Sequence, residues 1–175
     1  MKNIMTLAAA TLALLFPALA AAEHGGLAVE LAAHRVLPSA KPGAAEQLEA
    51  ALQARPGDLL EYRVRYSNGS REALNQVLAT LPIPAAGAVY VPGSARPAGV
   101  LASTDGRHFE SEPLRRWVVL PDGSRVEKLV PATEYRFLRW NLGNLAPSKA
   151  ATVSARVRVA DAADANYAYN KEQAK

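Results

Sequence analysis

One segment with a strict two-residue period constrains the fold of this chain more than any other feature. Residues 59–67 read LLEYRVRYS and follow the turn pair Pro56-Gly57. Apolar and charged side chains alternate along the segment, with Leu60, Tyr62, Val64 and Tyr66 on one face and Glu61, Arg63 and Arg65 on the other. Side chains two residues apart share a face of a β-strand. The segment is therefore predicted to be a half-buried strand whose apolar face packs against a core.

The rest of the chain repeats this pattern in short segments that are separated by turn residues. Strands are predicted at residues 27–36, 73–81, 88–91, 100–103, 117–120, 125–130, 135–142 and 152–159. Residues 46–55 are ambiguous, because their types favour helix while their apolar positions alternate; we predict a strand, since both neighbours are strands. Hairpins are predicted at three turn pairs: Asn68-Gly69, Asp105-Gly106 and Asp122-Gly123.

These strands predict an all-β fold. About eight to ten short strands with turns every ~8–12 residues are typical of an antiparallel β-sandwich or a small barrel. A parallel sheet is disfavoured, because no helix of about 12 residues lies between consecutive strands to carry the crossover.

The N-terminus has the three-part pattern of a secretory signal peptide. Lys2 supplies the positive charge, residues 4–22 are apolar apart from two threonines, and small residues precede the expected cleavage after Ala20 or Ala22. No later stretch approaches the ~18 apolar residues that a membrane-spanning helix needs. We expect a periplasmic or secreted protein. The expected organisation is a signal peptide at 1–22, a β-sandwich domain at 23–160 and a flexible tail at 161–175.

The composition limits the chemistry available to the chain. It has 175 residues and no cysteine, which suits one domain and excludes disulfides, thiolate-bound metals and thiol catalysis. Its 20 basic and 16 acidic residues give a net charge of +4. Because the basic residues are spread along the strands and mixed with acids, no nucleic-acid partner is expected. Weak contact with anionic surface polymers, such as lipopolysaccharide or acidic glycans, stays open.

No arrangement of nucleophiles or ligands points to catalysis. His24, His34 and His108 do not have metal-binding spacing. Serines such as Ser103 stand outside any Gly-x-Ser-x-Gly elbow. We therefore predict no enzyme activity, no catalytic, cofactor-binding or metal-binding residue, and no cofactor.

The acidic residues that lie near turns have a structural interpretation. Asp105, Glu110 and Glu112 are predicted to be turn residues and a solvated strand edge. Asp58 follows Pro-Gly and is predicted to bond to its own backbone, as turn aspartates do.

Burial can be predicted where the alternation is clear. Six residues are expected in one two-sheet core: Tyr62, Val64, Leu138, Trp140, Val153 and Val157. The side chain of Arg139 should project from the opposite face of its strand and pack its aliphatic stem on that surface. Trp117 lies in the run WVVL, which has no clear polar face. The first strand, 27–36, is predicted to be a sheet edge, because turn residues border it on both sides.

A family resemblance rests on several pieces in a fixed order. Residues 55–69, RPGDLLEYRVRYSNG, resemble the opening of a bacterial conserved-repeat family, domain of unknown function 11. The later pieces that fit are Leu81-Pro82, 90–94 (YVPGS), 103–109 (STDGRHF), 138–140 (LRW), 145–147 (LAP) and 153–159 (VSARVRV). The resemblance covers roughly residues 45 to 160. The chain departs from the family in having Ser148 where glycine is frequent, and in having one copy instead of tandem repeats.

The resemblance implies a fold and a kind of use. The implied fold is an antiparallel immunoglobulin-like β-sandwich with short flexible N- and C-terminal segments. The implied function is that of an exported, non-enzymatic structural or interaction module of the bacterial cell envelope, similar to stalk and adhesion domains. Its partner would be another envelope or surface protein, bound through a strand edge or surface. The alternative is a periplasmic binding protein for a small ligand, a metal ion or an anionic glycan, which needs a pocket with convergent polar groups.

Overall fold

The computed structural model describes residues 20–24, 26–39 and 45–160, and of residues 20–24 it describes the backbone alone. Most of the predicted signal peptide and the whole predicted tail lie outside these residues. The described chain forms strands and one short 3-10 turn, Ala132–Glu134. The strands are β1 (Ala20–His24), β2 (Leu27–Leu37), β3 (Gln47–Ala50), β4 (Leu59–Asn68), β5 (Leu74–Pro82), β6 (Ala88–Tyr90), β7 (Leu101–Ser103), β8 (Glu110–Ser111), β9 (Arg115–Val119), β10 (Arg125–Leu129), β11 (Phe137–Leu145) and β12 (Ala150–Val159).

The strands form two main sheets and a separate hairpin, and the pairs are antiparallel. The larger sheet has the order β1-β2-β4-β12-β6, and β3 also pairs with β2. The smaller sheet has the order β5-β11-β7-β8, and β9 pairs with β10 alone. The predicted all-β class is confirmed, and the described residues include no α-helix.

One core lies between the two main sheets. The six predicted core residues all belong to a single buried cluster: Tyr62, Val64, Leu138, Trp140, Val153 and Val157. Trp140 is 2% exposed, and its indole N–H donates to the carbonyl of Pro97 at 3.0 Å. On the opposite face of β11, the guanidinium of Arg139 lies 3.6 Å from the ring centroid of Phe109. The alternation in β4, β11 and β12 therefore identified the inner faces of both sheets.

The hairpin predicted at Asn68-Gly69 is wrong. β4 pairs with β2 and β12, whereas β5 pairs with β11, so the chain crosses here from one sheet to the other. The reason is the buried side chain of Asn68, which is 1% exposed. Its amide donates to the carbonyls of Glu72 and Leu145, at 2.7 and 2.8 Å. Its oxygen accepts the N–H of Ser70 at 2.9 Å. These bonds direct the chain towards β5 instead of back along β4.

The prediction that residues 27–36 form an edge is also wrong for the described chain, which includes Ala20–Ala22. β2 pairs with β4 on one side, from Leu27 to Arg35. On its other side, β1 covers Leu27–Leu31 and β3 covers His34–Leu37. The edge of this sheet is therefore divided between two short strands, which the alternation of β2 itself could not reveal.

The remaining turn predictions agree with the structure. Asp105-Gly106 joins β7 to β8, and Asp122-Gly123 joins β9 to β10. Residues 46–55 contain a strand only at Gln47–Ala50, and the rest of that segment is irregular.

Candidate functional site

Three reactive side chains meet in the turn between β7 and β8. Asp105 accepts the hydroxyl of Ser103 at 3.0 Å and the backbone N–H of His108 at 2.9 Å, and its second oxygen lies 2.6 Å from Nδ1 of His108. In a catalytic triad the histidine stands between the serine and the acid. Here the acid stands between the other two, and Ser103 is 1% exposed and also accepts the N–H of Gly106. The cluster is a hydrogen-bonded turn, as predicted for Asp105.

The same contacts shift the pKa values of the Asp105 and His108 side chains. Hydrogen bonds from the backbone and side chain of His108 hold the pKa of Asp105 far below its usual range. The hydrogen bond and charge of Asp105 in turn raise the pKa of the His108 imidazole. Both side chains are exposed, so this is a surface ion pair that weakens as the pH rises through the histidine pKa.

Two other acids have clear structural roles. Asp58 accepts the N–H of Arg55 at 2.8 Å, as predicted, and also Nε of Arg35 at 3.2 Å. Glu112 differs from its predicted place on a solvated edge. It is half-buried and accepts the hydroxyl of Tyr90 at 3.1 Å, because the chain turns inward after β8.

The histidines lie on separate elements: His24 in β1, His34 in β2 and His108 in the β7–β8 turn. Among the residues whose side chains the structure describes, no three His, Asp or Glu side chains lie close enough to hold a metal ion.

The β9–β10 hairpin belongs to neither main sheet. Its strands pair with each other from Arg115↔Leu129 to Val119↔Arg125. A tight loop closes it, in which Asp122 accepts the N–H of Ser124 at 2.9 Å. In the described chain both outer backbone edges of this hairpin are without a strand partner.

The base of the hairpin is firmly attached to the rest of the domain. Leu114 and Val130 flank the two strands, are buried in the core cluster, and are joined by an N–H···O bond of 2.9 Å. The N–H of Leu114 also donates to the hydroxyl of Tyr135 at 2.8 Å. Arg116 donates to both carboxylate oxygens of Glu134, at 2.6 and 3.0 Å. Such bidentate pairs fix direction as well as distance, so the hairpin is held in one orientation.

One face of the hairpin presents large apolar side chains to solvent. Trp117, Val119 and Leu129 are 68%, 62% and 59% exposed. Alternation along β9 and the register with β10 place all three on the same face. An ion pair of 2.8 Å between Arg115 and Glu127 lies on this face too. We call these five residues the Trp117 face. Its aromatic, aliphatic and arginine side chains are the types enriched at protein interfaces.

The sequence predicted the hairpin but not the exposure of Trp117. Apolar residues occupy both faces of 117–119, so the run carries no two-residue period from which a solvent face could be chosen. The local signal that could have identified it is Arg115-Arg116 directly before the tryptophan, since two adjacent arginines are rarely buried together.

Comparison with known proteins identifies no relative of this chain. No family model matches the chain, and no match is found among curated proteins or solved structures. The resemblance to the conserved-repeat family therefore stays a prediction. In the part of the chain that the structure describes, no helix has the length and apolar character needed to span a bilayer.

Proposed function

We propose that this protein is an exported, non-enzymatic interaction module of the bacterial cell envelope. Its fold is an immunoglobulin-like sandwich of the conserved-repeat type in single copy, and it acts in the periplasm or after secretion. Its partner is another envelope or surface protein, which it binds through the Trp117 face. The observation that carries this proposal is that an attached, oriented hairpin exposes three large apolar side chains.

The exposure of the Trp117 face has a cost that binding would remove. A soluble domain gains by burying large apolar side chains, at about 25 cal/mol per Å² of apolar surface. A contiguous patch of exposed apolar side chains on a folded domain often marks an interaction site. Because Arg116 and Glu134 already fix the hairpin, binding loses little further conformational entropy.

The unpaired edges of the hairpin give the partner a way to bind. An extended segment can add to a free strand edge through main-chain hydrogen bonds, while side chains on alternate positions supply specificity. Here an added strand would place its own alternate side chains beside Trp117 and Val119. We therefore expect the partner to contribute an extended segment with apolar residues at every second position.

The fold assignment is supported by the arrangement of the sheets. Antiparallel sheets enclose one core, and the chain passes between them at Asn68 instead of forming a hairpin there. Passage between sheets is a feature of sandwich topologies.

Affinity capture from an envelope extract tests the interaction. Three forms of the exported protein are compared: the unchanged sequence, Trp117→Ala and Leu52→Ala. Leu52 is a matched control, because it is a large apolar residue that is 71% exposed but lies outside the hairpin. We expect the same partner to be captured by the unchanged form and by Leu52→Ala. Trp117→Ala should reduce capture at least tenfold, the usual effect of truncating a central aromatic anchor.

Two results would overturn the proposal. Equal capture by Trp117→Ala and by the unchanged form would mean that the Trp117 face carries no binding. A small molecule that raises the melting temperature while no protein is captured would favour the binding-protein alternative. Export is tested separately by intact-mass analysis, where loss of the segment up to Ala20 or Ala22 is expected and an uncut, membrane-bound chain would contradict it.

A further inference from the structure

The outer face of the larger sheet carries a second feature, a groove lined by arginines. It has a volume of about 500 Å³ and is open to solvent. Four arginines line it, Arg63, Arg96, Arg156 and Arg158, together with the carboxylate of Glu61. The turn 92–94 forms one wall. We call these side chains the arginine groove. No residue of the β9–β10 hairpin lines it.

Strand register brings the four arginines together from distant parts of the sequence. Arg63 on β4 lies opposite Ser154 on β12, and a bridge joins Ser154 to Arg96 on its other side. Arg156 and Arg158 follow at the next alternate positions of β12, so they share the outward face with Ser154. Alternate residues on a strand are roughly 6–7 Å apart. The guanidinium groups therefore form a two-dimensional array over the sheet.

Glu61 organises the centre of this array. It is 7% exposed, and its two oxygens accept Nε of Arg63 at 2.7 Å and Nε of Arg156 at 3.1 Å. Burial alone would raise the pKa of Glu61, but the hydrogen bonds and charges of the two arginines outweigh burial and lower it. Glu46 binds the two terminal nitrogens of Arg156. The charge of Arg156 is thus compensated by two carboxylates, and Arg156 acts as a positioning residue.

The other two arginines keep uncompensated charge. Arg96 donates to the backbone carbonyls of Gly93 and Ala95, at 2.9 and 2.8 Å, and Arg158 donates to the carbonyl of Gly57 at 3.3 Å. In the described residues neither forms an ion pair with a carboxylate. Both side chains are exposed, so their remaining N–H groups face the groove or solvent. A guanidinium group without a carboxylate partner can donate two parallel hydrogen bonds to two oxygens of one carboxylate or phosphate.

The shape and lining of the groove select the class of anion. An open groove cannot enclose a small ligand as a closed pocket does, but it can hold a stretch of a polymer. Single-stranded nucleic acid is usually held by aromatic stacking, and the lining includes no aromatic residue. Membrane surfaces are bound by apolar side chains that protrude beside basic ones, whereas these arginines line a depression. A chain of acidic sugars fits all three observations.

We propose that the arginine groove binds a linear acidic polysaccharide through its carboxylate groups. Arg96 and Arg158 contact the sugar acids, and Glu61 holds Arg63 beside them. Arg158 lies on β12, and Arg96 lies on a segment outside the strands that is bridged to Ser154 of β12. Their backbone positions are therefore offset by roughly 13 Å along β12, four residues at ~3.3 Å each. A chain of sugar acids can engage both arginines at once, so it should bind more tightly than a single sugar acid.

Polygalacturonate is a suitable probe, with galacturonate monomer and neutral dextran as comparisons. The double variant Arg96→Gln/Arg158→Gln removes the two free charges and keeps a polar side chain at each position. The matched control is Arg71→Gln/Arg107→Gln, which changes the net charge equally at two exposed arginines outside the groove. Binding is measured by calorimetry at two salt concentrations, and circular dichroism verifies that all variants are folded.

We expect salt-sensitive binding of polygalacturonate, much weaker binding of the monomer and none of dextran. The groove variant should bind at least tenfold more weakly than the control variant, since two charge-assisted contacts are lost. Equal losses in the two double variants would overturn the proposal, because they would show charge attraction without a site. Tighter binding to phosphatidylglycerol vesicles or to oligo-dT would also overturn it. Trp117→Ala should leave polygalacturonate binding unchanged, so this test is independent of the partner proposed for the hairpin.

Discussion

The two tryptophans of this chain form a matched pair for testing the described core. Trp140 is 2% exposed and lies between the sheets, whereas Trp117 is 68% exposed on the hairpin. Replacing Trp140 with alanine removes a large buried ring and leaves a cavity, which costs about 3–5 kcal/mol. That is a large part of the ~5–15 kcal/mol by which domains of this kind are stable. Replacing Trp117 with alanine should change the free energy of unfolding by no more than about 0.5 kcal/mol.

A third variant separates the two contributions of Trp140. Trp140→Phe keeps most of the apolar volume but loses the hydrogen bond to Pro97, which is 3.0 Å long. A lost hydrogen bond costs about 0.5–1.5 kcal/mol, and the smaller ring adds part of a cavity term. We expect a total of roughly 1–3 kcal/mol, between the values of the unchanged protein and Trp140→Ala.

Urea titration followed by circular dichroism measures the free energy of unfolding of all three variants. Tryptophan fluorescence shows whether each indole is buried or exposed. In Trp117→Ala the remaining indole is buried, so its emission should shift to longer wavelength only on unfolding. In Trp140→Ala the remaining indole is exposed before unfolding, so little shift is expected. A cost below about 1 kcal/mol for Trp140→Ala, or equal costs for the two alanine variants, would refute the assignment of the core.

Two buried polar groups and the edge of the larger sheet can be tested by unfolding and exchange measurements. Asn68→Ala should lower the free energy of unfolding by about 2–3 kcal/mol in urea titration, because it leaves the buried carbonyl of Leu145 without its donor. Stability should fall between pH 10 and about 12, because burial raises the pKa of Tyr62 from 10.0 to about 12 and the folded state keeps a proton that the unfolded state loses. Tyr62→Phe should make that decline shallower in pH-dependent unfolding. If processing follows Ala22, the three β1 residues that pair with Val29–Leu31 are lost, and hydrogen exchange on the Val29–Leu31 backbone should be faster than in the uncut chain.

Strand positions could be predicted because burial with a two-residue period is a local property. Side chains two residues apart identify the apolar face of β4 and that of β12. In each strand this apolar face is buried, as predicted. Pairing is not local, and there the prediction failed at Asn68. Asn-Gly favours a tight hairpin when its side chain is free in solvent. Here the amide binds Leu145, 77 residues away, and no pattern near the turn indicates that partner.

The same limit applies to the Trp117 face. A strand in a sandwich presents one face to the core, so its sequence usually alternates. The β9–β10 hairpin has no facing sheet, and its apolar residues are distributed on both faces without a period. Absence of alternation in a segment with clear turn signals is therefore itself informative. It indicates a hairpin that stands outside the sheets, where a large side chain such as Trp117 has no core to enter.

The charge of a surface is the property of this protein that is hardest to predict from the order of its residues. Along β4, Glu61 and Arg63 look like a neutral, solvated face, and the arginines of β12 look like isolated charges. Register changes both interpretations. Arg156 crosses from β12 to Glu61, 95 residues away, and together with Arg63 it buries a carboxylate on the outward face of the sheet. The carboxylate of Glu61 is buried beneath these two arginines, while Arg158 on the next alternate position of β12 keeps its charge towards solvent. A chain whose acids and bases are mixed in sequence can thus present a basic surface, because strand pairing decides which charges neutralise each other.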